Sequence, residues 1–182
     1  MNITMNLFAV LGIILSSAAA GFGIGRYEKK PHPKEGEKVI VQGKIVASPV
    51  SGELQAGSES GRPEAVILPD EGVVYAPASG KIVRLFPMGN AFVLEMEEQI
   101  QISIRVGGCP DELSGEFFRP RIIQNEIVNK GKELLLFDRE GLLAAGERTE
   151  VAVCVENCPP EKTVESVSQG HIRVGEELIK VY

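Results

Sequence analysis

Asn90 and Arg105 are the polar side chains whose types and spacing point most directly to chemistry. They bracket a stretch in which Ile100, Ile102, Ile104 and Val106 alternate with Gln101, Ser103 and Arg105, the period of two that marks a strand with one buried face. Ahead of it Ala91-Phe92-Val93-Leu94 is apolar and Glu97-Glu98 interrupts the run, so a hairpin is predicted. With Glu97-Glu98 as a two-residue turn, Asn90 faces Arg105, Phe92 faces Ser103 and Met96 faces Gln99, each pair about 5 Å apart at Cβ. A guanidinium keeps its proton and offers donors only, so Arg105 can hold an anion but cannot attack one. The Asn90 amide donates a hydrogen bond without moving protons at neutral pH. Asn90 and Arg105, rimmed by Phe92, Leu94 and Ser103, are therefore candidates for an anion-binding surface, and no catalytic residue is assigned. The competing reading makes Arg105 a solvated residue on an exposed strand face.

Other reactive side chains are few. His32 lies between Pro31 and Pro33 in a run of mixed charge, and His171 falls in a turn on a different hairpin. Cys109, Cys154 and Cys158 are odd in number, which argues against a disulfide framework, and Cys154 and Cys158 lack the second pair that structural zinc needs. No metal or cofactor is implied. A net charge of −6 and the absence of Trp give no nucleic-acid footprint.

The elements that must position these residues read as short strands. Twenty Gly, eleven Pro and few aromatics favour strands and turns over long helices. Val46-Ala47-Ser48-Pro49-Val50-Ser51-Gly52 recurs 28 residues later as Val74-Tyr75-Ala76-Pro77-Ala78-Ser79-Gly80. Proline sets φ and glycine is expected to supply a positive φ, so each copy reads as strand, sharp turn, strand. A second echo pairs Val128-Asn129-Lys130-Gly131-Lys132-Glu133-Leu134 with Ile172-Arg173-Val174-Gly175-Glu176-Glu177-Leu178. Two kinds of turn, each used twice, predict a duplicated all-β unit with pseudo-symmetry. Gln55 to Pro63 reads as a loop, and Glu140 to Glu147 leaves room for a turn or two of helix.

Upstream lies a different kind of sequence. Residues 1–25 hold no Asp, Glu, Lys or Arg, and Ile3 to Ile24 is long enough to span a hydrocarbon core of about 30 Å as a helix. Arg26, Lys29 and Lys30 follow at once, which places the C-terminal side in the cytoplasm by the positive-inside rule. The alternative is a cleaved signal peptide ending near Ala18-Ala19-Ala20, although no basic residue precedes the apolar run. Ser17, Gly21 and Gly25 at every fourth position would allow a homodimer through the anchor. The expected division is anchor 1–25, linker 26–38 and β domain 39–182.

Several of these motifs carry a family resemblance. Asn90-Ala91-Phe92, Ile104-Arg105-Val106-Gly107, Glu112-Leu113-Ser114-Gly115-Glu116-Phe117-Phe118, the Val46–Gly52 motif and Lys130-Gly131-Lys132-Glu133-Leu134-Leu135-Leu136-Phe137-Asp138 resemble the glucose-type (type 1) IIA domain of the bacterial sugar phosphotransferase system. The resemblance extends over Lys44 to Tyr182 and implies a flattened antiparallel β-sandwich or barrel, the duplicated hybrid motif. Biotinyl and lipoyl carriers and LytM-type zinc peptidases share such repeats. The carriers need a lysine at a hairpin tip, and the peptidases need more histidines than His32 and His171. In the resembled family one histidine takes a phosphoryl group from a histidine phosphocarrier protein and passes it to the IIB domain of a permease, while a second histidine stabilises the moving charge. Asn90 and Arg105 stand at those two histidine positions, and Cys109 replaces an Asp nearby. The expectation is a membrane-anchored IIA-like domain that carries no phosphate and acts as a regulatory or protein-interaction module, with the phosphocarrier protein or a permease IIB domain as partner. A working phosphocarrier with a non-standard acceptor and a membrane-associated structural module unrelated to sugar uptake are the alternatives.

Overall fold

Each copy of the Val-x-x-Pro-x-Ser-Gly motif turns one strand into another. The computed structural model of the chain describes residues 43–55, 65–108, 115–167 and 169–182. The expected anchor at 1–25, the linker at 26–38, Cys109 and most of the loop at 55–63 lie outside those residues. Among the described residues, no helix is long and apolar enough to cross a membrane.

The first copy joins β1 (Lys44–Ala47) to β2 (Gly52–Gln55); after β3 (Ala65–Pro69), the second joins β4 (Val73–Tyr75) to β5 (Gly80–Leu85). Their turns bond to each other reciprocally. Ala47 N donates to Pro77 O at 3.0 Å and Tyr75 N donates to Pro49 O at 2.8 Å. The second echo also forms two matching turns, between β9 (Ile127–Val128) and β10 (Glu133–Phe137), and between β13 (Gly170–Ile172) and β14 (Glu177–Val181). Gly131 and Gly175 take φ of +85° and +87° there, the left-handed region that glycine enters without strain. Each glycine turn docks on a proline turn. Gly131 N donates to Ala76 O (2.9 Å) and Ala76 N to Lys132 O (2.8 Å), while Gly175 N donates to Ser48 O (2.9 Å) and Ser48 N to Glu176 O (2.7 Å). The duplication is thus written into the hydrogen bonds.

One expectation about the proline turns needs correcting. Gly52 and Gly80 are not among the glycines with positive φ. A Cβ on Gly52 would lie 2.0 Å from the carbonyl oxygen of Leu68, and one on Gly80 would lie 2.2 Å from that of Glu95. Both copies require glycine because a neighbouring backbone passes where a side chain would be.

The remaining elements are β6 (Ala91–Glu95), β7 (Gln101–Val106), β8 (Phe118–Pro120), β11 (Val151–Asn157), β12 (Val164–Ser166) and the short helix α1 (Arg139–Ala144). The strands form antiparallel sheets in the orders β1-β14-β12, β4-β10-β8 and β13-β2-β3-β11-β7-β6-β5-β9. All three contribute to one apolar core, with Val46 and Ile179 from the first, Val74, Leu134 and Phe118 from the second, and Ile67, Phe92, Ile104 and Val153 from the third. Sheets that share a core and meet at paired turns give the expected nearly all-β architecture. The Asp138 carboxylate caps α1 by accepting from Gly141 N at 2.9 Å, and Leu142 is buried beneath it.

Candidate functional site

The β6–β7 hairpin sets the geometry, and its register differs by one residue from the expected one. Ala91 pairs with Arg105, Phe92 with Ile104, Val93 with Ser103 and Leu94 with Ile102. Asn90 is thus not opposite Arg105, nor Phe92 opposite Ser103. The turn has three residues rather than two. Glu98 and Gln99 both adopt positive φ (59° and 60°), and Met96 N donates to Ile100 O at 2.8 Å to close it. Packing explains the choice, because this register puts Phe92 and Leu94 on the same face as Ile102 and Ile104. Lys44 reaches Glu97 at 3.0 Å and Glu98 at 3.3 Å, and Lys162 reaches Glu98 at 3.0 Å. Hydrogen bonds from Lys162 and then Lys44 hold the Glu98 carboxyl below the usual carboxylate range, and Glu97 holds Lys44 above the usual lysine range.

The register separates the five candidate residues. Phe92 and Leu94 are buried in the core rather than forming a rim. Asn90 is buried as well, at 2% exposure, and fastens the open end of the hairpin. Its Nδ2 donates to Val106 O at 3.1 Å, and its carbonyl accepts from Val106 N at 2.9 Å. Arg105 is exposed on the other face of the sheet, paired with Ala91 on one side and Ala152 on the other. Among the described residues its guanidinium has no carboxylate within salt-bridge distance. Ser103 lies between Val93 and Cys154 in the next row on that face.

A groove of about 370 Å³ runs over this surface, and Asn90, Phe92, Ser103 and Arg105 all border it, whereas Leu94 does not. Phe86, Pro87 and Met88 form one wall, and Ala152, Cys154 and Glu156 of β11 form the other. These wall residues were missed in the sequence. The alternation of Val151, Val153 and Val155 with Ala152, Cys154 and Glu156 was there to be read, but nothing in it says that β11 lies beside β7. Glu156 is four residues along β11 from Ala152, so the carboxylate and the Arg105 row are about 13 Å apart along the strand. The groove therefore offers an unpaired cation between two alanines, an apolar floor and one distant acid. That arrangement is suited to an anion held in an apolar frame, and besides Arg105 the titratable side chains on its lining are Cys154 and Glu156.

The described histidine, His171, is on β13 and not within the turn. Its Nε2 lies 2.9 Å from Asp70 Oδ2, and β13 is four strand positions from β7, about 19 Å away at the usual spacing. Cys154 and Cys158 are thiols.

Comparison with known proteins adds the following. The family described as phosphoenolpyruvate-dependent sugar phosphotransferase system, EIIA 1, matches residues 40–159. The beta-glucoside-specific EIIBCA component of Dickeya chrysanthemi is 26% identical over 197 residues, covering 95% of this chain and 31% of that protein. The glucose-specific EIIA component of Bacillus cereus is 27% identical over 114 residues, covering 62% of this chain and 69% of that protein. The chain thus spans under a third of the length of the larger relative. Glucose permease IIA from Mycoplasma capricolum superposes with a TM-score of 0.67 at 23% identity, covering 76% of this chain and 95% of that one, which establishes the likeness of fold.

Proposed function

The chain belongs to the EIIA 1 family of the phosphoenolpyruvate-dependent sugar phosphotransferase system, and from that premise we propose that it is a IIA-like domain that docks other components of the system without carrying phosphate itself. The observation that carries this reading is the chemistry of the two positions where the family places histidine. Arg105 has only donors to offer, and Asn90 is buried with its amide committed to the hairpin. His171 is too far from the groove to replace either.

The groove retains the properties of a docking surface. It is concave, largely apolar, and carries an exposed guanidinium suited to an acidic or phosphorylated partner face. Residues 1–25 support a location at the membrane, with Arg26, Lys29 and Lys30 supporting a cytoplasmic β domain. The partner is then the histidine phosphocarrier protein or a permease IIB domain, and the role is regulatory.

Titrating the full chain with each of these two proteins tests the docking reading. Saturable binding to one of them is expected, weakened at least about tenfold by Arg105→Glu, which reverses the cation placed in the groove. Binding that ignores Arg105→Glu, or no binding to either protein, would contradict it.

A further inference from the structure

Ile123 and Ile127 are the two most exposed large apolar side chains among the described residues, at 71% and 80%. They are not loose ends. Glu126 N donates to Ile123 O at 3.3 Å, Ile123 N donates to a Glu126 carboxylate oxygen at 3.0 Å, and Lys132 pairs with the other oxygen. Ion pairing with Lys132 and then the Ile123 N–H keep the Glu126 carboxyl below its usual range, so the clasp is charged at neutral pH. Two backbone bonds moor the turn to β5, from Asn125 N to Ile82 O (2.7 Å) and from Ile82 N to Glu126 O (2.9 Å). Ile122, just before Ile123, is buried. The fold therefore holds both isoleucines exposed on a hydrogen-bonded turn that runs into β9, the edge strand of the eight-stranded sheet.

Their surroundings are cationic. Arg121, Lys130 and Lys132 lie in the same stretch as the single acid Glu126, in a chain whose net charge is −6; Lys132 pairs with Glu126, the Lys130 amine reaches Gly175 O at 3.5 Å, and Arg121 is exposed. Lys81 is the cross-strand partner of Ile127 and is exposed beside it. A protein partner that buries aliphatic anchors has to offer pockets for them, whereas exposed aliphatic side chains with flanking Lys and Arg match the boundary between acyl chains and acidic headgroups.

We propose that the Arg121–Lys132 turn, with Lys81 beside it, is a contact site for an anionic lipid surface. The contact goes beyond the docking function and uses different residues.

The chain contains no Trp, so Ile127→Trp gives a single fluorophore at the tip. With the full-length protein, its emission should shift to the blue on vesicles containing phosphatidylglycerol, much less on phosphatidylcholine alone, and should return as salt is raised. Adding Lys81→Glu and Arg121→Glu should weaken the lipid dependence at least about tenfold while the thermal melt stays cooperative. Leu68→Trp, at an exposed position on β3 five strand positions from β9, should not respond. The anchor fails separately from the turn, since it would carry the chain to vesicles of either composition without moving the Ile127→Trp emission. Emission unmoved by anionic vesicles, or moved equally by neutral ones, overturns the proposal. So does a shift seen only with a protein component of the phosphotransfer system and no lipid.

Discussion

Position 105 carries a cation with no ion pair among the described residues, and position 90 carries a buried amide whose Nδ2 bonds across the hairpin. On the proposed reading both stand where the family has histidine, yet the two side chains act differently. Asn90 serves the fold through its bond to Val106 O, whereas Arg105 faces solvent between Ala91 and Ala152 and adds nothing to the core. Their removal should therefore separate. Asn90→Ala strips a buried carbonyl of its side-chain donor and should cost about 1–2 kcal/mol in chemical denaturation. Arg105→Ala should stay within about 0.5 kcal/mol of wild type. Equal losses at the two sites would mean that Arg105 is a structural residue, and the groove would lose its claim to a free cation.

At the scale of the hairpin, the β6–β7 turn places two non-glycine residues in succession at positive φ, Glu98 and Gln99. Each such residue costs on the order of 1 kcal/mol, and the ion pairs from Lys44 and Lys162 reach only Glu97 and Glu98. Gln99→Gly should relieve the strain without losing a side-chain bond and stabilise the domain by about 0.5–1 kcal/mol, read as a raised Tm. A lowered Tm would show that the Gln99 side chain holds the turn in some other way. The same turn shows where sequence reasoning stopped. Strand positions were legible from alternation, and the proline and glycine turns from their repetition. The register was also legible, because only the observed pairing sets Phe92 and Leu94 beside Ile102 and Ile104, but an assumed two-residue turn outweighed that signal. The reason for Gly52 and Gly80 was hidden, since the carbonyls of Leu68 and Glu95 that exclude a side chain come from other strands. The β11 wall of the groove was hidden for the same cause, as pairing across 46 residues leaves no local mark.

On the scale of the whole domain, reciprocal bonds between Ala47 and Pro77, Tyr75 and Pro49, and their glycine-turn counterparts tie the two repeats into one core. That frame fixes the groove on β6, β7 and β11 and leaves the isoleucine turn on the sheet edge at β9, so the proposed docking and the proposed lipid contact use separate residues and can be tested independently. The fold is that of the family, and the proposed reading is that Asn90 and Arg105 have taken the chemistry out of the two histidine positions. Transfer of labelled phosphate from phosphoenolpyruvate, through the general phosphotransferase proteins, tests this most directly. Wild type, Asn90→His, Arg105→His and the double variant would be compared for acid-labile label. No label on wild type or on either single variant is predicted, with some transfer returning in the double variant because both positions border one groove. Acid-labile phosphate on the wild-type chain would contradict the account.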